Sequence, residues 1–153
     1  MANTYTQIYI HTVFSPLNRE SLILAEWENE LQKYITGIVQ SKGHKMIAIN
    51  GMPDHIHIFF GMKPNQSLSS LVQDIKSNSS KWINEKGFVK GKFSWQEGFG
   101  GFSYGHSQID KVAKYVMNQK EHHKKKSFKS EYLSLLEKFE IEFKNKYVFD
   151  FLE

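Results

Sequence analysis

Residues 45–61, KMIAINGMPDHIHIFFG, commit this part of the chain to a β-hairpin: two strand-like apolar runs flank a Pro-Asp turn signal. In a strand, side chains at i and i+2 leave on the same face, about 7 Å apart along the chain. His55 and His57 therefore stand side by side, while Ile56, Ile58, Phe59 and Phe60 supply the buried material. Two imidazoles on one strand face can hold one metal ion. Their rival reading is a pair of hydrogen-bonded surface histidines.

The rest of the sequence arranges itself around that hairpin. Residues 5–14, YTQIYIHTVF, read as a strand rich in β-branched and aromatic residues. Residues 20–42 carry Ile23, Trp27, Leu31, Tyr34, Ile35 and Ile38 at three- and four-residue spacings, an amphipathic helix that Gly43 ends. Asn65 to Ser67 open a second helix over 68–86, with Leu68, Leu71, Val72, Ile75, Trp82 and Ile83 as its buried stripe. KGKFSWQ (90–96) reads as a fourth strand, and the glycines of EGFGGFSYG break regular structure after it. Ser107 and Asp110 resemble a capping box for a helix over about 108–124, and a last helix spans about 128–139. The tail EFKNKYVFDFLE suggests no definite element.

The order β-α-β-β-α-β followed by helices is an α+β, ferredoxin-like (RRM-like) arrangement: an antiparallel sheet with helices on one face and the His pair displayed on the other. With 153 residues and no repeat or linker composition, one domain over 1–153 is expected. The fold hosts many functions and names none.

Cysteine is absent, which excludes disulfides and thiolate metal sites and leaves His, carboxylate or amide oxygen as ligands. The start, MANTYTQIYIHTVF, has no basic region followed by a long apolar core, and no apolar run approaches the roughly 20 residues that span a bilayer, so a cytoplasmic chain is expected. The net charge is +4. Its distribution is more informative: Lys111, Lys114, Lys120, Lys124, Lys125, Lys126 and Lys129 crowd one region beside His122 and His123. That is a solvated helix face or a phosphate-binding patch.

The same region, KVAKYVMNQKEHHKKK (111–126), puts Tyr115 and Gln119 at i and i+4, one helical turn apart, next to an apolar side made by Val112 and Val116. Two His and one Gln oxygen make a mixed N/O set with open positions, which suits Mg²⁺ or Mn²⁺ at least as well as zinc.

His55-Ile56-His57 resembles the HUH motif (His, hydrophobic, His) of single-strand DNA nucleases. Tyr115 with Gln119 is similar to the helix that carries the nucleophile and a metal ligand in single-tyrosine transposases of small insertion sequences. The resemblance runs in order through YTQIYIHTVFSPLNR, INGMPDHIHIFF, LVQDIKSNSSKWI, FSWQEGFGGFSYG and VAKYVMNQKEHH, most of the chain. It implies DNA transposition: cleavage and rejoining of single-stranded DNA with hairpin ends, Tyr115 as catalytic nucleophile, and His55, His57 and Gln119 as ligands of Mg²⁺ or Mn²⁺. It also implies a homodimer whose tyrosine helix completes the partner's site. Lys111, Lys114, Lys120, Lys124, Lys125 and Lys126 are the expected DNA contacts. His11, His44 and His106 receive no role, His122 and His123 read as phosphate neighbours or solvated surface, and Trp95, Phe99, Phe102 and Tyr104 read as packing. The alternative is a non-catalytic RRM-like binder of single-stranded nucleic acid, which leaves Tyr115 and Gln119 unexplained.

Overall fold

The computed structural model describes residues 4–142. Its sheet has four antiparallel strands: β1 (Tyr9–Phe14), β2 (Lys45–Met52), β3 (His55–Gly61) and β4 (Gly100–Tyr104), in the order β2-β3-β1-β4. The helices are α1 (Ala25–Ser41), α2 (Leu68–Lys86), α3 (Ile109–Met117), α4 (Gln119–His122) and α5 (Phe128–Lys138). This is the expected ferredoxin-like α+β fold, with the hairpin strand β3 inside the sheet.

Register explains how one sequence serves two faces. β3 pairs with β1 so that Ile56, Ile58 and Phe60 oppose Phe14, Thr12 and Ile10, and His57 and Phe59 oppose Val13 and His11. The first set packs under α1 and α2 with Trp27, Leu31, Ile35, Val39, Leu71, Val72 and Ile75, all nearly inaccessible to water. Each such aliphatic or aromatic side chain stabilises the fold by roughly 1.5–3 kcal/mol. The limits of α2 fall at residues suited to them: Ser67 Oγ accepts the Ser70 N–H at 3.1 Å, and Gly87 takes the left-handed φ of 69° that ends the helix.

The second face is not open. Val112 and Val116 of α3 pack on Ala48 and Phe59, and Phe128, Leu135 and Leu136 of α5 pack with Val13 and Phe102. The expectation of a His pair displayed on an exposed face is thereby corrected: His55 and His57 are both fully buried.

Two element assignments also change. The fourth strand is Gly100–Tyr104, not 90–96. The alternation in KGKFSWQ serves contacts with α2: Asn84 brackets the Phe93 backbone through two hydrogen bonds, Trp95 Nε1 donates to Ser79 Oγ at 2.9 Å, and only a bridge from Trp95 to Pro16 is sheet-like. The glycines after it form the strand, where neighbours leave no room for side chains. A Cβ at Gly100 would lie 2.7 Å from the Tyr132 ring, and one at Gly101 3.0 Å from Leu68. The helix expected over 108–124 is led in by a 3-10 turn at His106–Gln108 without the Ser107 cap, and it breaks at Asn118 between α3 and α4. Asn50 of β2 donates to Met117 O at 2.9 Å and ties that break to the sheet. Residues 143–153 of the tail lie outside the described residues. Among the described residues no helix is long and apolar enough to cross a membrane.

Candidate metal and tyrosine site

The site lies between β3 and the three C-terminal helices. β3 delivers His55 and His57, α3 delivers Tyr115, α4 opens with Gln119, and the turn after α4 delivers His123. At its centre is a residue to which the sequence reading gave no role, Glu131 of α5, only 2% exposed. Its Oε1 lies 3.1 Å from His57 Nε2, 3.0 Å from His123 Nε2 and 3.5 Å from His55 Nε2. Its Oε2 accepts hydrogen bonds from the Tyr115 hydroxyl and from Gln119 Nε2, the latter at 3.1 Å. The structure therefore brings together all four residues singled out by motif, in one chain, and adds His123 and Glu131.

Second partners of the imidazoles fix their orientation. His55 Nδ1 faces Asp54 Oδ1 at 2.7 Å, and His123 Nδ1 faces the Lys126 carbonyl at 2.6 Å. Both acceptors require a proton on Nδ1. In the neutral rings, the lone pairs of both Nε2 atoms then point inward at oxygens: Gln119 Oε1, 3.3 Å from His55 and 2.9 Å from His123, and Glu131 Oε1. A cation bound among these inward-facing atoms would satisfy them together. The ligand-capable atoms of His55, His57, His123 and Glu131 all lie within 4.8 Å of one another. Imidazole nitrogen, carboxylate and amide oxygen together fit a divalent ion such as Mn²⁺ or Mg²⁺. Ligands oriented from behind by a carboxylate and a carbonyl are the usual support for such an ion.

Where Nε2 is protonated instead, the proton takes the cation's place. Burial would raise the Glu131 carboxyl, but hydrogen bonds from His123 and His57 overcome it and hold the group far below the ordinary range. Burial depresses His57 to about 4 despite Glu131, so its ring is neutral at physiological pH. For His123, burial is outweighed by the hydrogen bond and charge of Glu131, and its affinity for a proton is raised. Tyr115 is pushed well above a normal phenol, first by burial and then by the Glu131 charge. Behind the site His11 Nε2 meets His57 Nδ1 at 2.7 Å, and His11 Nδ1 is buried without a hydrogen-bond partner.

Tyr115 is the half-exposed member of the group. A cleft of about 470 Å³ lined by Lys111, Lys114, Tyr115, Met117, Asn118 and His122 leads to it from solvent. The expected lysine contacts divide accordingly. Lys111 and Lys114 line the cleft, whereas Lys120 is 2.8 Å from Glu28 and donates to Gly51 O at 2.9 Å. Lys124 pairs with Glu121, and Lys126 donates to Ser134 Oγ. Lys125 is exposed and lines no part of the cleft. The expectation that His123 is solvated surface is corrected, since its side chain is 5% exposed. His44, 3% exposed, is structural, held by Gln66 Oε1 and the Lys63 N–H. Trp95 and Phe102 are buried packing, as expected.

One signal for Glu131 was present in the sequence. It falls three residues after Phe128 and four before Leu135, a charged group on the apolar stripe of its helix.

Comparison with known proteins follows the geometry. Residues 4–119 match the family described as "Transposase IS200 like". The ISDra2 transposase TnpA of Deinococcus radiodurans is 24% identical over 75 residues, 49% of this chain and 54% of that protein, so the match spans about half the curated relative. A crystal structure of a candidate transposase from D. radiodurans superposes with a TM-score of 0.61 at 16% identity, covering 78% of this chain and 95% of that one. A REP-associated tyrosine transposase bound to a REP hairpin superposes with a TM-score of 0.57 at 16% identity, covering 77% and 70%. His123 and Glu131 lie beyond the segment matched to the family.

Proposed function

The chain belongs to the IS200-like transposase family, and on that premise we propose that it binds hairpin-bearing single-stranded DNA and cleaves and rejoins it through a covalent link to Tyr115. One observation carries the reading. The Tyr115 hydroxyl meets Gln119, His57 and His55 around one buried carboxylate, at the end of a cleft edged by Lys111 and Lys114. The relative bound to a REP hairpin supports a hairpin substrate.

In the proposed step Tyr115 Oη bonds to the phosphorus of the scissile phosphodiester and the P–O3′ bond breaks. The phenol proton leaves along its hydrogen bond to Glu131, and O3′ takes up a proton. The products are a 5′-phosphotyrosine and a free 3′-hydroxyl. Attack of another 3′-hydroxyl on the phosphotyrosine rejoins strands without a nucleotide cofactor. His55, His57 and Gln119 would hold Mg²⁺ or Mn²⁺, which when bound supplies positive charge for the phosphate oxygens. Asp54 keeps His55 in the tautomer that offers Nε2 to the ion. Lys111 and Lys114 guide the backbone of the strand into the cleft, a task that suits ammonium groups without carboxylate partners among the described residues.

A cytoplasmic homodimer is part of this reading. Tyr115 and His57 of the same chain are already together, which supports a site complete within each subunit. The test is denaturing electrophoresis after incubation with hairpin-ended single-stranded DNA and Mn²⁺. Wild type forms a covalent adduct and Tyr115→Phe forms none; binding with no adduct from wild type would leave a single-strand binder in place of a transposase. Mixing Tyr115→Phe with His57→Ala separates the two assemblies: no rescue for a site within one subunit, partial rescue for one shared between subunits.

A further inference from the structure

We propose that Glu131 is a metal ligand through Oε1 and the positioning residue of the nucleophile through Oε2, so that one carboxylate joins the metal to Tyr115, with His123 as the accompanying nitrogen ligand. The proposal rests on the metal reading of His55 and His57 and adds ligands from outside the matched family segment.

Geometry divides the labour between the two oxygens. Oε1 faces only imidazole nitrogens, those of His57, His123 and His55 at 3.0–3.5 Å. Oε2 faces the Tyr115 hydroxyl and the Gln119 amide, with His122 Nε2 at 3.5 Å. A carboxylate that is 2% exposed and sits on the apolar side of α5, beside Leu135 and Phe128, carries a large desolvation cost unless cations or donors surround it. Packing cannot account for a glutamate there, because Phe128 stacks flat on His55 at 4.0 Å and seals the site from that side. His123 satisfies the same criteria as His55: its Nδ1 is fixed by a carbonyl, and its Nε2 points at Gln119 and Glu131 oxygens. Four imidazoles, those of His55, His57, His122 and His123, come within 3.5 Å of this one carboxylate, a mixed N/O set that suits one divalent ion.

Mn²⁺ titration of the full chain without DNA, by calorimetry and by the electron paramagnetic resonance of bound Mn²⁺, tests this. Glu131→Gln keeps the shape and removes the charge, and its amide nitrogen turns one of the two accepting positions into a donor. It is expected to lower Mn²⁺ affinity by about tenfold or more and to alter the resonance of the ion still bound. The loss should persist in a Tyr115→Phe background, whereas Tyr115→Phe alone leaves affinity unchanged. At saturating Mn²⁺, Glu131→Gln should bind hairpin DNA like wild type and form adduct more slowly. Should Glu131→Gln fail to fold, Glu131→Asp, which keeps the charge on a shorter arm, is expected to bind Mn²⁺ more weakly than wild type. Wild-type affinity in Glu131→Asp would then overturn the proposal. Unchanged or tighter Mn²⁺ binding by folded Glu131→Gln, with binding lost in His57→Ala, overturns the Glu131 role and leaves the histidine site standing. Unchanged binding in both variants overturns the metal reading itself and the proposal with it.

Discussion

The two faces of the sheet are made by alternate residues of the same strands, yet they are built on different physics. Under α1 and α2, Ile56, Ile58 and Phe60 meet a closed apolar layer. Under α3 and α5, one residue along, His55 and His57 meet a glutamate, a glutamine, a tyrosine and two further histidines. Both faces are largely buried, although the cleft at Tyr115 opens the second to solvent. The first gains stability from every contact it makes. The second buries polar groups held by hydrogen bonds to one another, and so is specified by chemistry instead of volume. A period-two sequence lets one chain carry both without either disturbing the other.

The comparison breaks most sharply at Tyr115. Replacing it with Phe should abolish the covalent adduct entirely, while hairpin binding and thermal stability stay close to wild type. A persisting adduct would move the nucleophile elsewhere, with Tyr104 first in line. On the opposite face, Leu31→Ala should cost about 2–5 kcal/mol of unfolding free energy in denaturant titration, with adduct formation per folded molecule unchanged. A matching loss of cleavage would mean that the faces are coupled. His57→Ala sits between these cases. It should end Mn²⁺-dependent cleavage and, because the ring is buried, His11 loses its hydrogen-bond partner and Glu131 one of several, also cost about 1–3 kcal/mol.

Metal addition sharpens the contrast further. At a hundred times its dissociation constant, Mn²⁺ should stabilise wild type by about 2.7 kcal/mol, seen as a rise in melting temperature. Chelation should reverse the rise, and His57→Ala should not show it. The smallest effect concerns the cleft. Lys111→Ala or Lys114→Ala should reduce the log–log salt slope of single-strand binding by about 0.7 per lost phosphate contact. Lys120→Ala should change that slope less, because its ammonium group already serves Glu28 and Gly51.

Where the sequence was legible and where it was not follows from how far apart the partners lie. The hairpin, α2 and the His pair are local patterns, and register alone sets His55 beside His57. Tyr115 and Gln119 were readable as one turn of helix. Residues 90–96 misled because alternating Phe93 and Trp95 pack on a helix, a tertiary choice that period-two spacing does not distinguish from strand pairing. The burial of the His pair was hidden for a related reason: nothing in HIHIFF says that a helix 70 residues later will cover it. Glu131 reaches His57 across 74 residues of sequence, and only its misfit on an apolar stripe marked it.

That separation has a consequence in time. During synthesis the strand carrying both histidines leaves the ribosome well before the helix with Glu131 does. At about 5–20 residues per second, the 74 residues between His57 and Glu131 put a lag of on the order of 4–15 s between them. Tyr115 is translated within that interval, ahead of the carboxylate that orients it. On the proposed roles, a nascent chain carries its recognisable motifs before that carboxylate arrives, and cleavage reaches its full rate only once α5 closes over the sheet.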